Sequence, residues 1–512
     1  MSNNYYDNVK TTKDKLETIS SSMCLAKWYQ VSLHLPQGLT QSCYHPPTHL
    51  IPVTQLDDNP STLHNTEEKI QQRQQMLEGK RPSGCQYCWN IEDAPNGPHY
   101  SDRHYRSSEW WVEGKLQDAV LETKTAIPRY VEVNFNQACN FKCVYCSPHL
   151  STAWESEIKE HGPVPTNEGY HNDIESLSRK GLMPLKTSNN DNPYVQAFWK
   201  WWPDLYKELK VFRMTGGEPL MDKNTFKVLD YVDENPNAFL DLSITSNMCP
   251  PNQDLFDKFI AKLKKIEEVR IWEDEEKINP NTNNNWYVAP ACKHFSLFVS
   301  VDTVGEHAEY VREGLDFNQM LKNVKTVLNE THGTEITFIN TFNLMSVPKL
   351  KDFLQMILDL RQDFGYANQQ ELEIIPPTQG SLEHPPFVRK RRQRIWFDIP
   401  YLQFPNWMAV ENIMGYTEYS TILDDCLDFM IANQEDENYS KTFLGFKQYE
   451  IDKLRRNIEH MKQSYKNMST QELDNRKKTF KIYFDSLDQR RNKDFLETFP
   501  ELRAWYNDCS QT

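Results

Sequence analysis

Six short β-rich runs alternate with amphipathic stretches through the middle of the chain. The runs are "YVEVNFN" (130–136), "KVFRMT" (210–215), "LDLSITSN" (240–247), "FSLFVSVD" (295–302), "EITFINTF" (335–342) and "ELEIIPP" (371–377). Stretches such as "KNTFKVLDYVDE" and "DLFDKFIAKLKKI" lie between them, with apolar residues at helical spacing. Strand alternating with helix argues for parallel βαβ units. Six such strands predict an α/β protein built on a partial (β/α)6 TIM-like barrel. Residues 126–380 are assigned to this core. Residues 1–125 form a cysteine-rich N-terminal domain, irregular apart from one clear helix in "NTEEKIQQRQQMLEG", which stops at Gly79. Residues 381–512 read as a mostly helical C-terminal extension, its aromatic residues at helical spacing being core.

Two gaps between strands are too long for plain crossovers. They run from about 150 to 205 and from about 270 to 293, and are read as insertions suited to lids or substrate-binding elements. The tryptophans of "AFWKWW" in the first gap suit either a packed core or a substrate cleft. The basic run "RKRRQR" at 389–394 reads as a solvated face or turn.

The 512 residues carry a formal net charge of −15, which argues against broad phosphate-backbone binding and so against a nucleic-acid partner. No apolar run approaches the roughly 18 residues needed to span a bilayer. The opening "MSNNYYDNVKTTKDKLETIS" lacks the apolar region of a secretory signal. A cytoplasmic location is expected, where eleven cysteines would be reduced thiols and clustered ones metal ligands. Cys249, Cys292, Cys426 and Cys509 have no pairing pattern and read as small buried hydrophobes.

"CNFKCVYC" places Cys139, Cys143 and Cys146 directly after the first core strand. Active sites of (β/α) barrels lie at the C-terminal ends of strands. Three thiolates can hold three irons of a [4Fe–4S] cube and leave the fourth open to another ligand. A zinc site with a distant fourth ligand is the alternative. "MTGGEPLMDK" follows the second strand: Gly216 and Gly217 let backbone approach a ligand, and Glu218 can accept a hydrogen bond from an ammonium group.

The triplet and the Gly-Gly-Glu turn together resemble the radical SAM superfamily, whose hallmark is Cys-x3-Cys-x2-Cys with an aromatic residue, here Tyr145, before the last cysteine. The resemblance implies that S-adenosylmethionine chelates the open iron and that Glu218 receives its amino group. It implies reductive cleavage to methionine and a 5′-deoxyadenosyl radical, which abstracts hydrogen from substrate. Ser246 and Asn247, ending the third strand, are similar to a polar pair that contacts S-adenosylmethionine, although a strand-end turn explains them nearly as well. "FVSVDTVGEHAEYVREG" is similar to a stretch of members that modify peptides or proteins. It suggests Ser300 and Arg312 as ribose and carboxylate contacts, with Asp302 facing substrate or capping a helix. A reductant such as flavodoxin or ferredoxin is implied as a partner.

A second cysteine set precedes the core. Cys24, thirteen residues, Gly38, four residues and Cys43 are followed by Cys85 and Cys88 in "GCQYCW". Four thiolates close a site, for iron–sulfur or for zinc. The pattern resembles SPASM/twitch auxiliary-cluster domains, although there the domain follows the barrel. The resemblance implies a second, auxiliary [4Fe–4S] cluster. A zinc-stabilised binding module without S-adenosylmethionine chemistry is the rival from another class. The substrate is not legible; a peptide is the first expectation and a small molecule or nucleoside the runner-up.

Overall fold

The computed structural model describes residues 3–95, 97, 99–166, 171–187, 191–273, 286–364, 393–435 and 444–510. The strands in chain order are β1 (Gln30–His34), β2 (Leu39–Gln41), β3 (His49–Leu50), β4 (Tyr130–Asn134), β5 (Lys142–Cys143), β6 (Val211–Thr215) and β7 (Asn237–Ser246). They continue with β8 (Arg270–Glu273), β9 (Trp286–Ala289), β10 (Cys292–Ser300), β11 (Arg312–Glu313), β12 (Glu335–Ile339) and β13 (Ile395–Asp398).

One compact unit comprises residues 1–137, 184–216 and 239–243. In it β4 pairs in parallel with β6, as the strand–helix alternation predicts. β4 also pairs in parallel with β1, Val31 lying opposite Val131 and Leu33 opposite Val133. The cysteine-rich N-terminal segment therefore shares a sheet with the first core strands, which the sequence reading did not anticipate. β1 turns back into antiparallel β2, and β2 into β3. The β1–β2 turn needs Gly38: its φ is +67°, and a Cβ there would lie 2.2 Å from the Tyr194 ring. The expected helix spans Glu67–Leu77, with the Thr66 hydroxyl accepting the Lys69 N–H at its start. The "AFWKWW" aromatics lie on the helix Pro193–Glu208, where Phe198, Trp201 and Trp202 are buried. Phe198 and Trp202 pack on Phe212 of β6, so the core reading holds for them.

The other unit comprises residues 138–183, 217–238 and 244–512. β10, β12 and β13 run in parallel. The helices Gln253–Glu267 and Phe317–Glu330 bury Phe256, Phe259 and Leu263, and Met320, Val324 and Val327, from their apolar faces. β7 contributes Phe239–Ser243 to the first unit and Ile244–Ser246 to this one. Parallel pairing in both units, with helices between successive core strands, is the α/β class expected of a partial (β/α)6 barrel.

Two expectations shift. The run at 371–377 lies outside the described residues; the strand beside β12 is β13, inside the segment assigned to the C-terminal extension. Within "RKRRQR", residues 389–392 lie outside the described residues, but Arg394 is buried rather than solvated. Its guanidinium donates to the carbonyls of Thr334 and Leu328 and to the Thr331 hydroxyl. Within 270–293, β8 and β9 form an antiparallel hairpin, and most of "NPNTNNNW" lies outside the described residues.

The C-terminal part carries the helices Thr417–Ala432, Gln448–Asn467 and Thr470–Arg491. Phe480, Phe484, Phe495 and Trp505 are fully buried there and pack ring against ring. Cys249, Cys292, Cys426 and Cys509 are buried. Among the described residues, no helix is long and apolar enough to cross a membrane.

Arg361, on the helix Leu350–Phe364, fastens the C-terminal helices to β13. It donates to Glu450 at 2.7 Å, to the Ile395 carbonyl and to the Gly445 carbonyl, and both charged partners are buried. Arg361→Met should cost about 3–5 kcal/mol by leaving Glu450 buried and uncompensated. Adding Glu450→Leu should restore part of the loss. Thermal melts of the two variants check this, and an unshifted Arg361→Met melt would contradict it.

Candidate functional site

The three-cysteine loop is fastened by its backbone. Cys143 pairs antiparallel with Arg312 where β5 meets β11, and the Val144 N–H donates to the Val311 carbonyl at 2.8 Å. The Trp154 indole donates to the Cys143 carbonyl, and the Tyr483 hydroxyl to the Val144 carbonyl, both at 2.7 Å. The Cys139 N–H donates to the Thr152 hydroxyl, and the Phe141 N–H points at the Cys139 sulfur, 3.4 Å away. The loop thus brings three half-buried thiols together with little freedom to part.

Burial pushes Cys139 up to about 12 and pushes Cys143 and Cys146 upward as well. Charge on Cys143 further disfavours the thiolates of Cys139 and Cys146. Such a set stays protonated until a cationic centre binds, and binding releases the protons. Among the described residues, no three His, Cys, Asp or Glu side chains converge closely enough to hold one metal ion. A cube assigns its thiolates to separate irons, so its ligands need not converge on a point.

Gly216 has φ +121°, and a Cβ there would lie 2.2 Å from Asn134 Oδ1, so a side chain is excluded. Gly217 follows it in the same turn. Glu218 is 1% exposed. Its Oε1 accepts from the Leu220 N–H at 2.9 Å and the Ser246 hydroxyl at 2.8 Å; its Oε2 accepts from the Asn247 N–H at 2.7 Å. A carboxylate offers about four acceptor positions, so one on Oε2 remains for an ammonium group. Burial raises the Glu218 carboxyl to about 7 against those hydrogen bonds. The Glu218 N–H donates to the carbonyl of Ala138, the residue before Cys139.

Ser246 and Asn247 are occupied in building this turn. The Ser246 oxygen also accepts the Met248 N–H, and the Asn247 side chain accepts the Cys249 N–H. The Asn247 amide donates to Asn140 Oδ1, and Asn140 Nδ2 donates to the Cys249 carbonyl. Asn140 is a site residue that sequence reading missed. An asparagine beside a cysteine of the triplet carries no spacing signal.

Asp302 is fully buried and neither caps a helix nor reaches solvent. It accepts from the Tyr145 hydroxyl at 2.9 Å, from Arg312 Nε at 2.7 Å and Nη2 at 3.1 Å, and from the Thr341 N–H at 2.9 Å. Arg312 is therefore held by a protein carboxylate, with Nη1 3.7 Å from the Cys143 sulfur. Tyr145 lies under the Arg312 guanidinium, 5.6 Å from its ring centroid. Ser300, half-buried at the end of β10, makes no side-chain hydrogen bond among the described residues.

The second thiol set also comes together. Cys24, Cys85 and Cys88 are buried and Cys43 is half-buried. Cys24 is disfavoured as a thiolate by burial first, then by Cys43, Cys85 and Cys88, and is pushed up to about 12. Cys88 is pushed up to about 11, mainly by burial. Trp28, Trp89 and Trp111 share their core.

Asp302→Ala should cost about 3–5 kcal/mol by leaving Arg312 buried without a counter-ion. A thermal melt measures it, and a melt equal to wild type would contradict the role given to Asp302.

No family model matches the chain. It is 25% identical over 252 residues to the GTP 3′,8-cyclase of Desulforamulus reducens, covering 47% of this chain and 65% of that protein. It is 28% identical over 138 residues to the GTP 3′,8-cyclase of Campylobacter lari, covering 27% of this chain and 33% of that protein. The chain thus spans just under two thirds of the first relative's length and one third of the second's. Among solved structures, Streptococcus suis SuiB bound to S-adenosylmethionine aligns with 67% of this chain and 60% of its own, at 12% identity and a TM-score of 0.27. SuiB bound to its precursor peptide SuiA aligns with 64% and 59%, at 13% identity and a TM-score of 0.26. Over the matched part the chain is thus similar to GTP 3′,8-cyclases, and its cysteine loop and Gly-Gly-Glu turn carry its resemblance to the radical SAM superfamily.

Proposed function

We propose that this chain cleaves S-adenosylmethionine reductively and uses the product radical to take a hydrogen atom from a peptide substrate. The observation that carries the reading is the joining of two sites through backbone: the buried Glu218 turn is hydrogen-bonded to the residue that precedes Cys139. When bound, a [4Fe–4S] cluster supplies the electron that breaks a carbon–sulfur bond of the sulfonium. Cys139, Cys143 and Cys146 hold that cluster. Glu218 receives the ammonium group of S-adenosylmethionine on its remaining acceptor position, and Ser246 and Asn247 hold the Glu218 carboxylate in place. Asp302 orients Arg312 and Tyr145 against the loop.

In this reading Cys24, Cys43, Cys85 and Cys88 hold an auxiliary [4Fe–4S] cluster in a twitch-like arrangement. Four thiolates leave no open iron, so the role is electron transfer or support rather than substrate chelation. The peptide substrate rests on the resemblance of this set, and of the stretch around Asp302, to members that modify peptides or proteins. A flavodoxin or ferredoxin would donate the electron, in the cytoplasm.

Cys143→Ala should abolish 5′-deoxyadenosine release from S-adenosylmethionine and dithionite while leaving the melt unchanged. Retained release would overturn the assignment. Cys88→Ala should lower the iron content of reconstituted protein by about four atoms, one cube's worth. An unchanged count would remove the auxiliary cluster.

A further inference from the structure

Among the described residues, three neighbouring buried cations lack an acidic partner, and two of them, Lys27 and Lys69, lie within electrostatic reach of Cys43. Lys69 and Arg73 are fully buried and Lys27 is 2% exposed. The Lys69 ammonium has one hydrogen-bond partner, the Thr40 hydroxyl at 2.6 Å, and Lys27 has one, Gln72 Oε1 at 2.6 Å. Arg73 donates to neutral acceptors, including the Lys27 and Thr123 carbonyls and Asn65 Oδ1. Among the described residues, none of the three forms an ion pair. Glu68 interacts with Lys69, but its side chain is 52% exposed and stands by His49. Arg103 shows the usual solution nearby, a bidentate pair with Glu92.

Uncompensated buried charge is costly: burial first, then Arg73 and Lys27, pushes the Lys69 ammonium well below the usual lysine range, so it keeps its charge only where an anion lies beside it. Lys69 also sits in the first turn of the helix Glu67–Leu77, where the helix dipole disfavours a cation. The arrangement is intelligible if an anion lies beside it. The thiols are that neighbour: Cys43 interacts electrostatically with both Lys27 and Lys69. A four-thiolate [4Fe–4S] centre is a dianion when oxidised and a trianion when reduced by one electron, with no proton moved.

We propose that Lys69, with Lys27, is the built-in countercharge of an auxiliary cluster at Cys24, Cys43, Cys85 and Cys88, and that it raises the reduction potential of that cluster. This rests on the auxiliary-cluster reading above. Net charge around a cluster is one of the determinants of its potential, and fixed cations favour the trianion over the dianion. The electron comes from a low-potential donor of the flavodoxin or ferredoxin class. The auxiliary centre is thereby set up to be reduced rather than to serve only as a staple, and Lys69 is a positioning residue for charge.

The test is an anaerobic redox titration with dithionite, followed by electron paramagnetic resonance, on reconstituted full-length protein carrying Cys143→Ala to silence the other site. Adding Lys69→Met should shift the midpoint to lower potential by at least tenfold in the reduction equilibrium, about 59 mV for one electron. Lys69→Arg should keep the parent midpoint, and so should Thr40→Val, which removes the hydrogen bond but not the charge. If Lys69→Met does not fold, Lys27→Met should lower the midpoint instead. Iron at about four per chain with an unmoved midpoint would overturn the inference and leave the cluster in place. Parent protein with zinc, or with no iron, would overturn the auxiliary-cluster reading itself.

Discussion

A single buried carboxylate holds the face around the three-cysteine loop together. Asp302 lies just past the end of β10 and gathers the Tyr145 hydroxyl from the cysteine loop, the Arg312 guanidinium from β11 and the Thr341 amide just past the end of β12. Arg312 is in turn paired through its backbone with Cys143. Side chain and main chain therefore tie the same loop from two directions. Removing water from such a pair is expensive, and only its near-complete hydrogen bonding makes it tolerable. The gain is a thiol loop whose position is set before any cofactor arrives, which is what a precise cofactor site requires.

The two thiol sets solve their electrostatics differently. At the Cys139–Cys146 loop the nearby cation, Arg312, is neutralised by Asp302, so little net charge is left over. Beside the N-terminal quartet the cations Lys27 and Lys69 have no acid of their own among the described residues. The first site reads as charge-balanced by protein and ready for an external ligand with its own charges. The second reads as balanced only when an anionic centre is present. Each set lies wholly within one compact unit.

What was legible in the sequence was contiguous. Cys139, Cys143 and Cys146 fall within eight residues, and Gly216–Glu218 is a tripeptide whose φ and burial explain its composition. The core strands were legible by period and by intervening helices. What was hidden depends on tertiary placement. Nothing local says that β1 will lie beside β4, or that Arg394, in a basic run, will be drawn inward to satisfy the end of the helix Phe317–Glu330. Asn140 and Asp302 acquire their roles only when strand ends far apart in sequence meet. Arg312 was read as a ligand contact from the resemblance of the stretch that carries it; the structure shows two of its donors, Nε and Nη2, taken by Asp302.

The central claim is that two sulfur-ligated clusters and S-adenosylmethionine meet on this one chain. The most direct measurement is a count of iron, sulfide and zinc in anaerobically reconstituted protein, followed by an assay for 5′-deoxyadenosine after adding dithionite and S-adenosylmethionine. The account predicts about eight irons per chain together with release of the nucleoside. Zinc without iron, and no cleavage, would contradict it and leave a metal-stabilised binding module in its place.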